Sequence, residues 1–282
     1  MSIEKIQSAV LRALQCAFER HEALGERGLE EVQKNQFGDT ALRVDIEAEE
    51  AVLQSFTEHH IPVRVVSEEH GTVDIGASKY LAVLDGIDGS ALYKKERGLG
   101  KYGTMIGLFE GLNPRYEDYL VGGIMQHATR TCLLGVTGQG AVAISDGHER
   151  PIRTSGHSHL DATTPIYIDE YWEMNRETFS KPLAGFNTAY KGASCLYYAD
   201  VAEGLADLAL ECTRKGNLEI AAAYGLIKEA GGVITDLEGV DIGPRTYLEF
   251  GQVKEEYIPV ITAATPELAH ALIAFIKEHR LT

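Results

Sequence analysis

Carboxylates recur in this 282-residue chain where short apolar runs end. Val63-Arg64-Val65-Val66 is followed by Glu68 and Glu69, and Leu81-Ala82-Val83-Leu84 by Asp85, Asp88, Gly89 and Ser90. Strand ends are where mixed α/β proteins place their sites. Brought together, two like charges at ~4 Å in an effective dielectric near 20 repel by roughly 4 kcal/mol. Such a cluster needs cations, or raised pKa values, to exist. An oxygen set without His or Cys favours Mg2+ over Zn2+. In Asp85-Gly86-Ile87-Asp88-Gly89-Ser90, two Asp three apart on a tight turn can face one ion. Gly89 lets a phosphate oxygen approach the backbone, and Ser90 opens the next turn, whose free N–H groups attract an anion. An Asp/Gly-rich surface turn has the same composition, so this segment alone leaves both readings open.

The elements that must position these residues are read from periodicity. Ile3, Ile6, Val10, Leu14 and Phe18 predict an amphipathic helix over 3–32. A second helix is expected over 46–59, with Val52, Leu53 and Phe56 inward, ended by Pro62. Strands are expected at 63–66 and 81–84, with a loop at 74–80. Further strands are expected at 104–109, 120–125, 131–136 and 141–144, separated by Gly-rich turns such as Gly138-Gln139-Gly140. Beyond these come strands at 165–168, 207–210, 233–235 and 258–263, and helices at 194–205 and 220–230. Thr265 caps a last helix with Pro266 at its first position. Mixed helices and strands with a strand-rich middle argue for α/β or α+β layers.

Composition narrows the partners. Lys+Arg 26 against Asp+Glu 42 gives a net charge of −16, which repels nucleic acid and anionic membranes. No apolar run approaches the ~18 residues of a membrane span. Met1-Ser2-Ile3-Glu4-Lys5 lacks the apolar core of a signal peptide. Cys16, Cys132, Cys195 and Cys212 are scattered, which suits free thiols in a reducing cytoplasm.

A further segment, Gly216-Asn217-Leu218-Glu219, leads into the small-residue run Ile220–Gly232. Jointly these motifs resemble the inositol monophosphatase family, the lithium-sensitive, Mg2+-dependent phosphatases that include fructose-1,6-bisphosphatases. Glu68-Glu69 resembles the family's Glu-Glu after a strand. Residues 85–90 resemble its Asp-Pro-(Ile/Leu)-Asp-Gly-Thr. Leu218-Glu219 and Glu229-Ala230-Gly231-Gly232 resemble its Trp-Asp followed by a helix ending Glu-Ala-Gly-Gly. Gly38-Asp39-Thr40, Val44-Asp45 and Ala48-Glu49 are similar to its N-terminal Asp segment, and Gly192-Ala193-Ser194 to its substrate-side turn. The resemblance runs from about residue 5 to 275, in the family's order.

That resemblance implies an α/β (α+β) fold, a layered αβαβα sandwich. It implies one unit over 1–282 with two packed subdomains, roughly 1–150 with the metal and catalytic half and 151–282 contributing Glu219. Glu68, Asp85, Asp88, the Ile87 carbonyl and Glu219 are expected to bind two or three Mg2+, with Mn2+ a possible substitute. Asp45 and Ser90 are expected to orient and deprotonate the attacking water, with Glu68 part of the catalytic set. Asp88, Gly89, Ser90, Ser194, Glu211 and Glu219 are the implied substrate contacts, and a homodimer is the implied assembly. Three departures stand out. Gly86 replaces Pro, which leaves the turn less pre-organised. Ser90 replaces Thr, losing the methyl that restricts χ1. Glu219 replaces Asp and is one methylene longer.

Other signals carry less. Gly98-Leu99-Gly100-Lys101-Tyr102-Gly103 matches GxGxxG but precedes a strand-like run, against a dinucleotide site. Asp85 and Asp88 are three apart, not the two of haloacid dehalogenase phosphatases. His148, His157 and His159 are expected in a solvated loop, and Cys195 and Cys212 as packing residues. Asp39 could serve a third metal or form a turn. The expected function is a Mg2+-dependent phosphomonoesterase acting on a small sugar or polyol phosphate. A catalytically weak binding or regulatory protein is the alternative class. Adenosine 3′,5′-bisphosphate or NADP ranks lower as substrate, because aromatic walls for a base are not evident in the sequence.

Overall fold

Nine consecutive residues, Tyr80–Asp88, form the central strand, and all but Tyr80 are buried. Their parity shows why. Leu81 and Val83 pack into one apolar cluster, Ala82 and Leu84 into another on the opposite face. A strand covered on both faces reads as a continuous apolar run. The computed structural model describes residues 1–35, 37–252 and 257–279.

In chain order the elements begin with α1 (Ile3–Leu24), β1 (Glu31–Lys34), β2 (Thr40–Leu42) and α2 (Arg43–Glu58). Next come β3 (Val63–Ser67), β4 (Gly71–Ile75), β5 (Tyr80–Asp88), α3 (Ser90–Glu96) and β6 (Gly103–Glu110). A meander follows, β7 (Tyr119–Gln126), β8 (Thr131–Val136), β9 (Gly140–Ser145) and β10 (His148–Ile152). The remainder is β11 (Ile166–Ile168), the one-turn α4 (Glu173–Asn175), β12 (Thr188–Ala189), α5 (Ser194–Ala202), β13 (Leu208–Cys212), α6 (Leu218–Glu229), β14 (Val233–Asp236), β15 (Pro259–Ala263) and α7 (Pro266–His279).

Strands β10-β9-β8-β7-β6-β5-β3-β4 make one sheet, antiparallel except for the β3–β5 pair. Strands β12-β11-β13-β15-β14 make a second. Helices α1 and α2 cover one face of the large sheet, α5 and α6 lie between the sheets, and α7 covers the outer side of the small one. These are the five layers of the αβαβα sandwich expected from the sequence.

Several expected boundaries move. Helix α1 stops at Leu24, because Gly25 takes φ +54° and opens a short 3-10 turn (Gly25–Leu29) that leads to β1. The expected loop at 74–80 overlaps β4, an edge strand whose alternate exposure hides it from an apolar-run search. His148 opens β10, whose residues are exposed up to Pro151, so it is strand and not loop. Strand β5 continues through Asp88 instead of stopping at Asp85.

That extension matters for the site. Asp85 opposes Met105 on β6 and Asp88 opposes Gly103, so three steps on β5 face two on β6. In a regular strand, residues three apart point to opposite faces. A bulge with one extra residue returns Asp88 to the face of Asp85.

The middle layer is held unusually close. Gly107, Gly122 and Gly135 are successive cross-strand partners on β6, β7 and β8. A Cβ at Gly107 would lie 2.8 Å from the Ala221 carbonyl oxygen, at Gly122 2.7 Å from the Leu226 nitrogen, and at Gly135 2.6 Å from the Leu226 Cα. Helix α6 therefore rests backbone on backbone against the sheet. Gly122→Val should cost about 1–3 kcal/mol through overpacking. A lowered midpoint at unchanged slope in urea unfolding is the expected result; an unchanged midpoint would show that the contact is not tight.

Candidate active site

The carboxylates picked out in the sequence meet at the ends of different elements. Asp85 and Asp88 come from β5, and Glu219 from the first turn of α6. One carboxylate oxygen of each lies within 4.8 Å of the others, and all three residues are buried. Asp45, in the first turn of α2, and Glu68, in the turn after β3, line the same cleft of about 240 Å³. Ile87, Gly89, Ser90, Ser194 and, at its exposed rim, Asp39 also line it.

Specific donors position Asp45, Asp88 and Glu68. The Leu42 amide donates to Asp45 Oδ2 at 2.7 Å, which places Asp45 where it closes the start of α2. The Ser90 hydroxyl lies 3.0 Å from Asp45 Oδ1 and 3.0 Å from the Ile87 carbonyl oxygen, either of which can accept its proton. The Cys195 amide, at the start of α5, donates to Asp88 Oδ2 at 2.5 Å. Cys195 thus does more than pack: its backbone ties the second half of the chain to β5. Asn35 Nδ2 donates to Glu68 Oε1 at 2.9 Å and to Glu69 Oε1 at 3.3 Å.

Glycines 86 and 89 are there for space and conformation. Gly89 has φ +90°, and a Cβ on it would lie 2.8 Å from the Ala193 Cβ. A Cβ at Gly86 would lie 2.5 Å from the Asp45 carbonyl oxygen and 2.9 Å from Glu49 Cγ. Gly86 is therefore a close-packing residue under α2, not the loose turn expected from the loss of Pro.

Two residues central to this geometry escaped the sequence reading as functional. Glu49 is fully buried one helical turn after Asp45 and accepts from the Glu69 amide at 3.1 Å, the His70 amide at 3.1 Å and His70 Nδ1 at 2.7 Å. It anchors the turn that carries Glu68. The i, i+4 spacing from Asp45 was the available signal. Arg214 is the second. Its Nη1 donates to Glu219 Oε1 at 2.7 Å and its Nη2 to Ser194 Oγ at 2.8 Å. Its Nε lies 3.5 Å from Asp169 Oδ2, and its Nη2 3.9 Å from Glu211 Oε2. The extra methylene of Glu219 reaches toward this guanidinium. Nothing local in the sequence marks Arg214. Glu211 stands apart from the other expected substrate contacts: it is buried behind Ser194, which donates to its Oε2 at 3.1 Å, and does not line the cleft.

Burial dominates the electrostatics. Desolvation pushes Asp45 up to about 7, against the hydrogen bonds from Leu42 and Ser90. It raises Asp85 well above the ordinary range, helped by the charges of Glu68, Asp88 and Glu219. Asp88 is raised by desolvation and by Glu219, against the Cys195 amide. Desolvation also lifts Glu69 and Glu211 to about 8 each.

Fold and site define a hydrolase of phosphate esters built on a layered sandwich. The chain belongs to the inositol monophosphatase family, whose model matches residues 2–279. A fructose-1,6-bisphosphatase/inositol-1-monophosphatase of Thermococcus kodakarensis is 27% identical over 259 residues, 88% of each chain. A bifunctional NADP phosphatase/NAD kinase of Methanococcus maripaludis is 28% identical over 230 residues. That match takes in 77% of this chain but only 40% of the longer relative. The extragenic suppressor protein suhB of Bartonella henselae shares the fold with a TM-score of 0.77 at 19% identity, over 97% of this chain and 98% of that one.

The raised carboxylates have a thermodynamic consequence. Asp45, Glu69 and Glu211 hold protons in the folded state that the unfolded chain, with values near 3.8 and 4.5, has already released. The folded state binds more protons across this window, so stability falls as pH rises through it. The buried His21 and His127, both lowered by desolvation, oppose this only until the unfolded imidazoles have released their protons, by about pH 7.5. In EDTA, urea midpoints should be lower at about pH 9 than at about pH 6.5, and Mg2+ should raise the midpoint more at the higher pH. A flat profile would show that these carboxylates ionise without penalty.

Proposed function

We propose that this protein is a Mg2+-dependent phosphomonoesterase that hydrolyses a phosphate ester on a small sugar or polyol. The convergence of Asp85, Asp88 and Glu219 beside the Ser90–Asp45 pair carries the reading. The donor set fits a hard cation: it is all oxygen and buried, and Asp85 and Asp88 are raised in pKa by burial and, after it, by neighbouring carboxylate charge that a cation would relieve. Asp85, Asp88 and Glu219 would hold the ion, with Glu68 and the Ile87 carbonyl as further candidate ligands on the same cleft. When bound, Mg2+ supplies charge that neutralises the phosphate and makes a water more acidic.

The chain's own residues do the rest. The Ser90 hydroxyl orients the attacking water and passes a proton to Asp45 Oδ1. Desolvation suits Asp45 to this task, since a carboxylate at about 7 accepts a proton near neutral pH. Gly89 leaves its backbone open to a phosphate oxygen. Ser194, held between Arg214 and Glu211, presents a fixed hydroxyl to the ester. The alternative of a catalytically weak regulatory protein rests on the departures at Gly86, Ser90 and Glu219. Ser90 still reaches Asp45, and Gly86 fits its packing, which supports an enzyme. The four free cysteines suit a cytoplasmic setting.

Phosphate release from a panel of sugar and polyol phosphates should require Mg2+ and stop in excess EDTA. Ser90→Ala should cost about 10²–10⁴-fold in kcat with cation affinity unchanged, the usual worth of a positioned acid–base group. Ser90→Thr should retain turnover. Full activity in Ser90→Ala would sink the relay, and no turnover on any ester would favour the regulatory reading. The homodimer implied by family resemblance predicts twice the 30.8 kDa chain mass in sedimentation; a single-chain mass at micromolar concentration would contradict it.

A further inference from the structure

The cleft is one-sided in charge. Nine carboxylate side chains line it, and among the described residues Arg214 is the only basic one that does. That guanidinium is already shared by Glu219, Ser194 and Asp169. Lys95, Lys101 and Lys191 line a separate groove that shares Tyr190 with the cleft. There Lys101 is paired with Asp200 at 3.0 Å, and Lys191 lies over the Tyr167 ring at 5.5 Å. A second anionic group on the substrate would therefore meet carboxylates without a free base in the cleft to receive it.

A second observation gives that imbalance a direction. Strand β11 ends at Ile168 and leads into Asp169, Tyr171 and Trp172 on the cleft wall, where Tyr190 joins them from a separate loop. Tyr171 is 70% exposed and Tyr190 48%. Tyr171 and Trp172 meet edge to face with centroids 5.1 Å apart. Asp169 is 5% exposed; its Oδ1 accepts from the Tyr171 amide at 3.3 Å, which ties the carboxylate to the ring wall. Its Oδ2 makes no hydrogen bond, and Arg214 Nε stands 3.5 Å away. A buried acceptor with spare capacity is costly unless a donor completes it.

We propose that Asp169 and the ring faces of Tyr171, Trp172 and Tyr190 form a seat for a protonated primary amine, so that the ester cleaved here is the phosphate of an amino sugar or amino alcohol. The proposal rests on the phosphatase reading and names its substrate class. Ring faces attract a cation, and a carboxylate with an unused oxygen takes a charge-assisted N–H bond. A hydroxyl could satisfy Asp169 but gains little from the rings. A quaternary ammonium could use the rings but would leave Asp169 without a donor. A primary ammonium uses both. Its charge is also drawn toward a protein of net charge −16. The sequence hid this seat because its rings lie up to 19 positions apart (190 − 171), without a period.

Matched esters that differ in one group isolate the seat. Glucosamine 6-phosphate against glucose 6-phosphate, and ethanolamine phosphate against ethylene glycol phosphate, each exchange an ammonium for a hydroxyl. With Mg2+ present, the amine member of at least one pair should have the higher kcat/KM, by about 5- to 30-fold. Asp169→Asn, which keeps the shape and removes the charge, should bring that ratio close to one. Tyr190→Leu should lower it, and Tyr190→Phe should keep it. A ratio does not depend on the fraction of enzyme that is folded, so a variant that folds poorly still reports. Ratios of one or below in both pairs, or a ratio unchanged by Asp169→Asn or by Tyr190→Leu, would overturn the amine seat and leave the phosphatase reading intact. No phosphate release from any ester would instead remove the phosphatase reading. Titration calorimetry with the same pairs then decides the seat alone: tighter binding of the amine member keeps it, and equal binding ends it.

Discussion

Like charges out of reach of water repel, and this molecule holds Asp45, Asp85, Asp88 and Glu219 each at less than a tenth exposure around one cleft. Left to relax, such groups would move apart, take up protons or draw in solvent. Holding them together requires donors that cannot drift. The chain holds Asp45 and Asp88 by the Leu42 and Cys195 backbone amides, and fixes the turn that carries Glu68 through the Glu69 and His70 amides on Glu49. It adds a part-buried guanidinium, Arg214, shared among Glu219, Ser194, Asp169 and Glu211. Backbone amides lose little freedom when they bond, because the elements that carry them are already fixed.

The architecture follows from that need. No single helix or hairpin could aim so many carboxylates at one point, so they arrive from α2, the turn after β3, β5 and α6. The β5 bulge sets the facing of Asp88, and Glu49 locks the Glu68 turn to α2. Asp88 is bonded across to α5, so the first half of the chain completes its site only against the second. Arg214 balances charge at the join, where its Glu219 partner also stands within the carboxylate cluster.

Much of this was legible. Apolar runs ending in Glu68-Glu69 and Asp85 located the strands, and the spacing of Gly89-Ser90 beyond Asp88 located the turn. Leu218-Glu219 before a small-residue run located α6. What the sequence concealed was of two kinds. Contacts between residues distant in the chain, such as Arg214 with Asp169 or the ring wall at 171, 172 and 190, leave no period to detect. Reasons for a residue's absence are equally silent. Gly86 reads as a weakened turn, whereas it marks the approach of α2 to within a methyl group of β5. Strand β4 and the start of β10 were concealed because exposed edge strands lack the apolar signature on which the search depends.

The glycine row at 107, 122 and 135 has a reach beyond packing. Most interfaces between layers are made of side chains, and side chains can swap rotamers or exchange volume when neighbours mutate. The contact of α6 with β6, β7 and β8 is main chain against main chain, so nothing in it can be traded. The separation between Glu219, riding on that helix, and Asp85, fixed in the sheet, is thus a length gauged by peptide thickness. Substitutions in the outer layers would leave that separation unchanged, because it is set by the backbone.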